Sequence, residues 1–364
     1  MSAKLYINSK NILNNINYLK SKLNSNTNII AMIKANAYGC GAINIAKLLE
    51  KNGISDFGVA LVSEGVNLRK NKITSNILVT SQFLECDFEN IIKYDLTVSA
   101  SNIQLLEKLN NYAISMNSNV KIHIKIDSGM GRLGFDEASI YNNIKLIKDN
   151  LRQLQIEGIY THLSCADSNI NYTKFQLEIF DRIVKKLNNM GYSFKYVHAL
   201  NSAGILYYPN YQYTHVRSGI LIYGYMPDNS IKDNNILPCL TLKAPIIRIH
   251  NIINDTKISY GATYTAKEGQ KIATIQIGYA DGLSRTCSNR YYVHIGNNKC
   301  KIVGNICMDM CMIDISNVTT PIHVGDEVTI FKSREDLQKL AHINHTITYE
   351  IISRLNERIE RYLI

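Results

Sequence analysis

The sequence predicts an α/β chain in two parts: an N-terminal (β/α)8 TIM-type barrel over residues 1–235, then a mostly-β domain over 236–364. Three observations carry that expectation. Short β-branched runs alternate with longer amphipathic stretches from residue 9 to about 225, making roughly eight β-α units, the size of such a barrel. No Gly-x-Gly-x-x-Gly follows the first strand-like run, which disfavours the competing doubly wound sheet. After about residue 235 the helical periodicity fades, and closely spaced strands take over between Gly, Asn and Asp turns.

Taken in order, Ser9 is placed to cap a first helix whose apolar stripe is Ile12, Leu13, Ile16, Leu19 and Leu23. Strand-like runs recur at 29–34, 57–61, 77–80, 96–99, 120–126, 156–162, 196–200 and 213–217. Helical patterns such as 43–51, 104–112 and 175–187 lie between them. In the second part the runs at 240–253, 271–277, 291–295, 300–306, 310–315 and 327–331 read as strands. Helical pattern returns near 335–341 and again at the C-terminus.

Composition narrows the function classes. The 40 Lys and Arg against 30 Asp and Glu leave a net charge of +10, but the cations are scattered and no nucleic-acid motif accompanies them. A solvated surface explains them better than a phosphate-binding patch, so no nucleic-acid partner is expected. No run of about 18 apolar residues occurs, which argues against a membrane-spanning helix. The N-terminus lacks the basic-then-apolar layout of a secretory signal, so a cytoplasmic protein is expected. The eight cysteines show no Cys-x-x-Cys and no accompanying His-x-x-x-His, so reduced thiols and no metal site are expected.

In a β/α barrel, functional groups gather at the C-terminal ends of the strands. Those ends are rich in polar residues here. The first ends in Lys34, followed by Tyr38 and Gly39, and the fifth runs from Lys125 through Asp127 to Arg132. The sixth carries His162, the seventh Asn201 and Ser202, and the eighth His215, Arg217 and Gly219. A lone lysine at a strand end is ordinarily a surface residue. One whose neighbouring strand ends carry His, Arg and a Ser-Ala-Gly turn is a candidate amine nucleophile.

Six segments, in order, resemble the alanine racemase family. They are Ala31-Met32-Ile33-Lys34-Ala35-Asn36-Ala37-Tyr38-Gly39, Asp127-Ser128-Gly129-Met130-Gly131-Arg132, Thr161-His162, Ser259-Tyr260 through Tyr264, Ile277-Gly278-Tyr279-Ala280-Asp281-Gly282 and Gly304 through Met308-Asp309. Each alone is weak, since glycine-rich turns are common; six in family order across nearly the whole chain are specific. The resemblance implies a pyridoxal 5'-phosphate-binding barrel followed by a β domain. It implies that Lys34 forms a Schiff base with the cofactor, which serves as electron sink for a carbanion. Tyr38, Ser202, Gly219, Ile220 and Tyr349 would hold the phosphate, Arg217 would face the ring nitrogen, and Asn201 and His162 would complete the cofactor site. Tyr260 would be the second acid–base group, supported by His162 and Arg217 and reaching the cofactor of a partner subunit. A homodimer with shared active sites is therefore implied.

Arg132 and the Met308 backbone would hold the substrate carboxylate, with Asp309 and Tyr279 in support. Lys125 matches a family lysine that becomes carbamylated; a plain lysine pointing at solvent is the alternative, and sequence does not choose between them. Cys40, Ser128 and Met310 depart from the family's usual His, Thr and Gln, none of which transfers the proton. The implied activity is interconversion of L- and D-alanine, with D-alanine supplied to peptidoglycan. A basic amino-acid decarboxylase on the same fold would need a catalytic cysteine in a context not seen here. A broad-specificity racemase is a third reading, against which Tyr264, Tyr279 and Tyr349 suit a narrow entry for small substrates. A pyridoxal-phosphate carrier protein would lack the β-rich part that holds Tyr260.

Overall fold

Strand-like runs such as 29–33 and 77–79 are continuous and apolar, the pattern of parallel strands covered on both faces. The computed structural model describes residues 2–228 and 233–364. After an N-terminal strand β1 (Lys4–Ile7), eight strands close a parallel barrel in sequence order. They are β2 (Asn28–Met32), β3 (Asp56–Val59), β4 (Asn76–Val79), β5 (Thr97–Ala100), β6 (Val120–Lys125), β7 (Leu154–Tyr160), β8 (Tyr196–His198) and β9 (His215–Ser218). Closure runs through β9 and β2, where Ile30 pairs with Arg217. Phe57, Val98, Ile122, Ile124 and Val216 are fully buried in its walls.

Helices cover the barrel: α1 (Ser9–Ser21), the short turn α2 (Lys34–Tyr38), α3 (Ala42–Lys51), α4 (Val62–Lys70), α5 (Phe88–Lys93), α6 (Ile103–Ser115), α7 (Ile140–Asn150), α8 (Ile170–Asn189) and α9 (Ser202–Tyr207). The first helix is capped one residue earlier than expected. Asn8, not Ser9, has the extended backbone of a cap, and its side chain accepts the Asn11 N–H at 3.0 Å. Ser9 instead donates its hydroxyl to the carbonyl of Ile364, tying the two chain ends together.

The β-rich part is one sheet ordered β13-β16-β15-β14-β17-β10-β1-β18. Its strands are β10 (Leu240–Asn251), β13 (Lys271–Ile275), β14 (Tyr292–Ile295), β15 (Asn298–Val303), β16 (Cys311–Asp314), β17 (Glu327–Phe331) and β18 (Glu360–Leu363), with a separate hairpin of β11 (Thr256–Ile258) and β12 (Tyr264–Ala266). The long β10 pairs with β17 along one half and with β13 along the other, its register shifting near Ile246. That double pairing curls six strands back on themselves. Strand β1 lies between β10 and β18, so residues 4–7 stand in the sheet of the chain's second part although they precede the barrel. Its alternation buries Leu5 and Ile7 and leaves Lys4 and Tyr6 half-exposed.

The second part also reaches over the mouth of the barrel. Helices α10 (Arg334–Ile343) and α11 (Thr348–Ser353) bring the Ile352 carbonyl so near Gly39 that a Cβ there would overlap it. Arg361 donates from Nε to the Gly39 carbonyl at 2.8 Å. Removing the buried Leu5 side chain in Leu5→Ala should lower unfolding stability by about 2–5 kcal/mol. Denaturant unfolding followed by circular dichroism would measure it, and a change within error of zero would mean β1 is not an integral strand.

Candidate active site

Strand β2 leads straight into an unusual turn. Ala35, Asn36, Ala37 and Tyr38 all have φ between 51° and 53°, four consecutive left-handed residues none of which is glycine. Each such residue costs roughly 1–2 kcal/mol relative to the right-handed form. The turn persists because its backbone is bonded throughout: Ala37 N–H to Ile33, Gly39 to Ala35, Cys40 to Ala37 and Gly41 to Asn36, all at 2.9–3.0 Å. The Asn36 side chain also accepts the Ala42 N–H that begins α3. This geometry sends both Lys34 and Tyr38 into a cavity of about 320 Å³ at the C-terminal mouth of the barrel. His162, Asn201, Ser202, Arg217 and Gly219 line it as well, and Tyr349 and Ser353 close it from the second part.

Arg217 is the most constrained group in the cavity. Its Nη2 donates to the carbonyls of Thr161 (2.7 Å) and Ala199 (2.9 Å) and to His162 Nδ1 (3.1 Å). Its Nη1 donates to His198 Nδ1 (2.7 Å) and to the His198 carbonyl (3.2 Å). Burial pushes its pKa down to about 10, so it remains a cation at neutral pH. Because a guanidinium has only donors, both imidazoles must offer a bare Nδ1, which places their protons on Nε2. His198 then donates from Nε2 to His123 Nδ1 at 3.0 Å, continuing the chain down the barrel. Burial holds His162 and His198 well below the usual imidazole value, with the Arg217 charge adding to it, and burial brings His123 to about 3. All three are neutral.

A second cluster offers donors to an anion. The Gly219 N–H points at Ser202 Oγ (3.0 Å), and Ser202 opens α9, whose cap is Asn201 accepting from Gly204. A Cβ on Gly219 would overlap the Tyr38 hydroxyl, so only glycine leaves that hydroxyl in place. The Tyr38 ring packs against Tyr223 and Tyr349. Burial raises the phenols of Tyr38 and Tyr349, keeping both protonated as hydrogen-bond donors. Ile220 is fully buried behind them.

Lys34 is half-buried. Burial lowers its amine below the ordinary lysine value, Arg132 and Arg217 lower it further, and Glu64 opposes them. A larger neutral fraction makes it a better nucleophile. Lys125, at the end of β6, is buried with no hydrogen-bond partner for its amine, which sits 4.5 Å above the Tyr160 ring. Burial, with Arg217 and Arg132, holds it well below the usual range. Arg132 is exposed on the loop after Asp127, whose carboxylate accepts the N–H groups of Gly129, Met130 and Gly131.

The other expected residues lie on the second part and outside this cavity. Tyr260 is 73 % exposed and lines a separate groove with Ser259, Cys307 and Met312. Met308 and Tyr279 are also exposed. Tyr279 and Ala280 donate backbone N–H groups to the carbonyls of Cys307 and Met308, and a Cβ on Gly278 would overlap both carbonyls. Arg358 ties Asp281 (2.6 Å) to Asp309 (2.8 Å), so two of the family-like segments, 277–282 and 304–309, are joined through the C-terminal part of the chain.

His215, grouped above with the strand-end residues, begins β9 and packs on Tyr196 at the opposite end of that strand from the site. Sequence reasoning also missed His198 and Tyr160. Tyr160 lies flat on His198 and beneath Arg217. Both are strand-end residues facing inward, and only their position at those ends hinted at a role.

The chain matches two family models, described as alanine racemase, N-terminal domain, over residues 7–227, and alanine racemase, C-terminal domain, over 239–363. It is 36% identical to alanine racemase 1 of Clostridium acetobutylicum over 345 residues, 92% of this chain and 89% of that protein. The crystal structure of alanine racemase from Clostridium difficile superposes with a TM-score of 0.95 at 34% identity, covering 100% of this chain and 96% of that one. Alanine racemase from Bartonella henselae, solved with covalently bound pyridoxal phosphate, superposes with a TM-score of 0.87 at 27% identity over 100% of both chains.

Imidazole nitrogen NMR tests the tautomers. His162 and His198 should show protons on Nε2 only and no titration through the usual imidazole pKa of about 6.5. Unfolded histidines gain protons below that value while these do not, so stability contributed by the pair falls as pH drops below about 6.5. Titration of either ring near 6.5 in the folded protein would contradict the arrangement.

Proposed function

The chain belongs to the alanine racemase family and interconverts L- and D-alanine using pyridoxal phosphate; we propose that Lys34 and Tyr260 are its two acid–base groups. The observation that carries this reading is the depressed Lys34 amine sharing one cavity with the His162–Arg217 pair, whose remaining imidazole N–H is free to support a phenol.

The cavity suits the cofactor. Lys34 Nζ would hold it covalently, and the protonated phenols of Tyr38 and Tyr349, the Ser202 hydroxyl and the backbone at Gly219 and Ile220 would meet its phosphate. The guanidinium of Arg217 spends its Nη donors on carbonyls and histidines, which leaves Nε for a ring nitrogen. Arginine donates a hydrogen bond there without giving up a proton. When bound, pyridoxal phosphate withdraws electrons from the substrate α-carbon and makes its proton removable.

Inversion needs an acid–base group on each face of the reacting carbon. Lys34 Nζ takes or returns the proton on one face and Tyr260 Oη on the other. An unassisted phenol has a pKa near 10, so a donor on its oxygen is needed for it to act as a base near neutrality. Arg217 fixes His162 with its proton on Nε2, which supplies that donor. Arg132 and the Met308 N–H would bind the substrate carboxylate, the former with paired donors.

Tyr260 and Met308 are exposed and share no lining residue with the Lys34 cavity, which supports a homodimer in which each subunit completes its partner's site. No described helix is long and apolar enough to cross a membrane. Cytoplasmic supply of D-alanine for peptidoglycan is the physiological role this reading carries.

Lys125 supports the carbamate. A buried, unpartnered ammonium beside two arginines is costly, and a lowered pKa leaves the amine free to add carbon dioxide. The product is an anion that would orient Arg132.

Three measurements test these assignments. Tyr260→Phe should abolish α-proton exchange in deuterium oxide from one enantiomer far more than from the other; equal loss from both would refute opposed bases. Mixing inactive Lys34→Ala and Tyr260→Phe subunits should restore about a quarter of the wild-type rate, because half of the randomly formed dimers carry one intact site of two. No recovery would refute sites shared between subunits. Bicarbonate added to carbonate-depleted enzyme should raise activity, and an intact-mass gain of one carbon dioxide mapped to Lys125 would identify the adduct; activity indifferent to bicarbonate, with an unmodified Lys125, would refute it.

A further inference from the structure

We propose that Glu64 is a positioning residue that clamps the left-handed turn beneath Lys34 and so aims the amine into the cavity. This rests on the assignment of Lys34 above. Glu64 lies in the first turn of α4, half-buried, and its carboxylate serves two separate structures at once. One oxygen accepts the Ala35 N–H at 2.6 Å, the first peptide group after Lys34. The other accepts the N–H groups of Ala60 (2.7 Å) and Leu61 (3.1 Å) where α4 begins.

The Ala35 contact falls where the turn is most in need of it. The hydrogen bonds inside the turn run from Ala37 N–H onward, and the exit is held by Asn36 and Arg361. At the entry, the Ala35 N–H goes to Glu64. Four left-handed non-glycine residues relax toward ordinary backbone unless the surroundings hold them, and Lys34 is joined directly to the first of them. Glu64 also places a negative charge near Lys34, opposing Arg132 and Arg217. Reacting groups misplaced by 1 Å can lose about a hundredfold in rate, so a clamp on the bearer of the amine carries a large effect.

The competing explanation is that Glu64 only caps α4. Leu61 occupies the N-cap position and is exposed, so Leu61→Ser can supply a side-chain cap independently of Glu64. The holoenzyme would be compared in four forms: wild type, L61S, E64A and L61S/E64A. Melting temperature, kcat, KM for alanine and the fraction of chains carrying borohydride-fixed pyridoxal phosphate on Lys34 would be measured in each.

The expected result is that E64A lowers kcat about 10- to 100-fold with KM within about threefold, and lowers the fixed fraction at limiting cofactor. L61S/E64A should regain the melting temperature but neither kcat nor the fixed fraction. Recovery of kcat in the double variant, or an E64A kcat within twofold of wild type, would overturn the clamp. Fixation of the cofactor on a different lysine in the wild type would overturn the Lys34 assignment itself and the clamp with it.

Discussion

The site is organised around one buried cation. Arg217 sits inside the barrel with its charge retained, and a buried guanidinium is tolerated only where its donors are met. Here they are met by the carbonyls of Thr161, His198 and Ala199, which are the ends of two neighbouring strands, and by two imidazoles. The same contacts that satisfy the charge therefore fix the geometry of those strand ends and the tautomer of both histidines. A hydrogen-bonding chain in which the cationic Arg217 links the neutral imidazoles of His162, His198 and His123 follows from that single requirement. Tyr160 lies flat against His198 and under Arg217, so an aromatic face supports the cation from the side the carbonyls leave open.

The second constraint is the left-handed turn at 35–38. It brings a lysine and a tyrosine into one cavity within five residues of chain, which a right-handed turn from β2 would not do in the same way. Its support comes from both halves of the molecule: α4 through Glu64, α3 through Ala42, and the second part through Ile352 and Arg361. The β-rich part is thus not an appendage. It walls the cavity with Tyr349 and Ser353 and bears on the strained backbone, so cofactor site and domain packing are mechanically linked.

Electrostatics divides the cavity into two ends. Around Lys34 and Lys125 the neighbouring arginines and the loss of water both disfavour further positive charge, which favours neutral amines. Toward Ser202 and Gly219 the groups are neutral donors kept protonated by burial. An amine able to react at one end and a donor nest for an anion at the other match a ligand with a carbonyl and a phosphate on one ring. In the outlying corner Arg358 joins the buried Asp281 to Asp309, while Met308 and Asp309 themselves stand exposed.

The sequence by itself determined the architecture and most of the site's membership. Eight short strand-like runs alternating with amphipathic stretches are a local signal, because each strand and its helix announce themselves through periodicity, and all eight stand where the pattern put them to within a few residues. Lys34, Tyr38 and His162 were legible because motif and strand-end position coincide, Asn201, Ser202, Arg217 and Gly219 through strand-end position, and Tyr349 through the family resemblance alone; all converge on one cavity. What tertiary structure decided was pairing between remote segments. Nothing local in Lys4–Ile7 says that it will lie between β10 and β18, and Ser9 lost the capping role to Asn8 while bonding the far chain end. His198, Tyr160 and Glu64 were invisible for the same reason, since an inward imidazole, an aromatic floor and a helix-start carboxylate look like ordinary core and capping residues until the fold sets them against Arg217 and Ala35. Periodicity reports which face a residue occupies, whereas hydrogen bonds across the barrel depend on which faces meet, and only the closed fold specifies that.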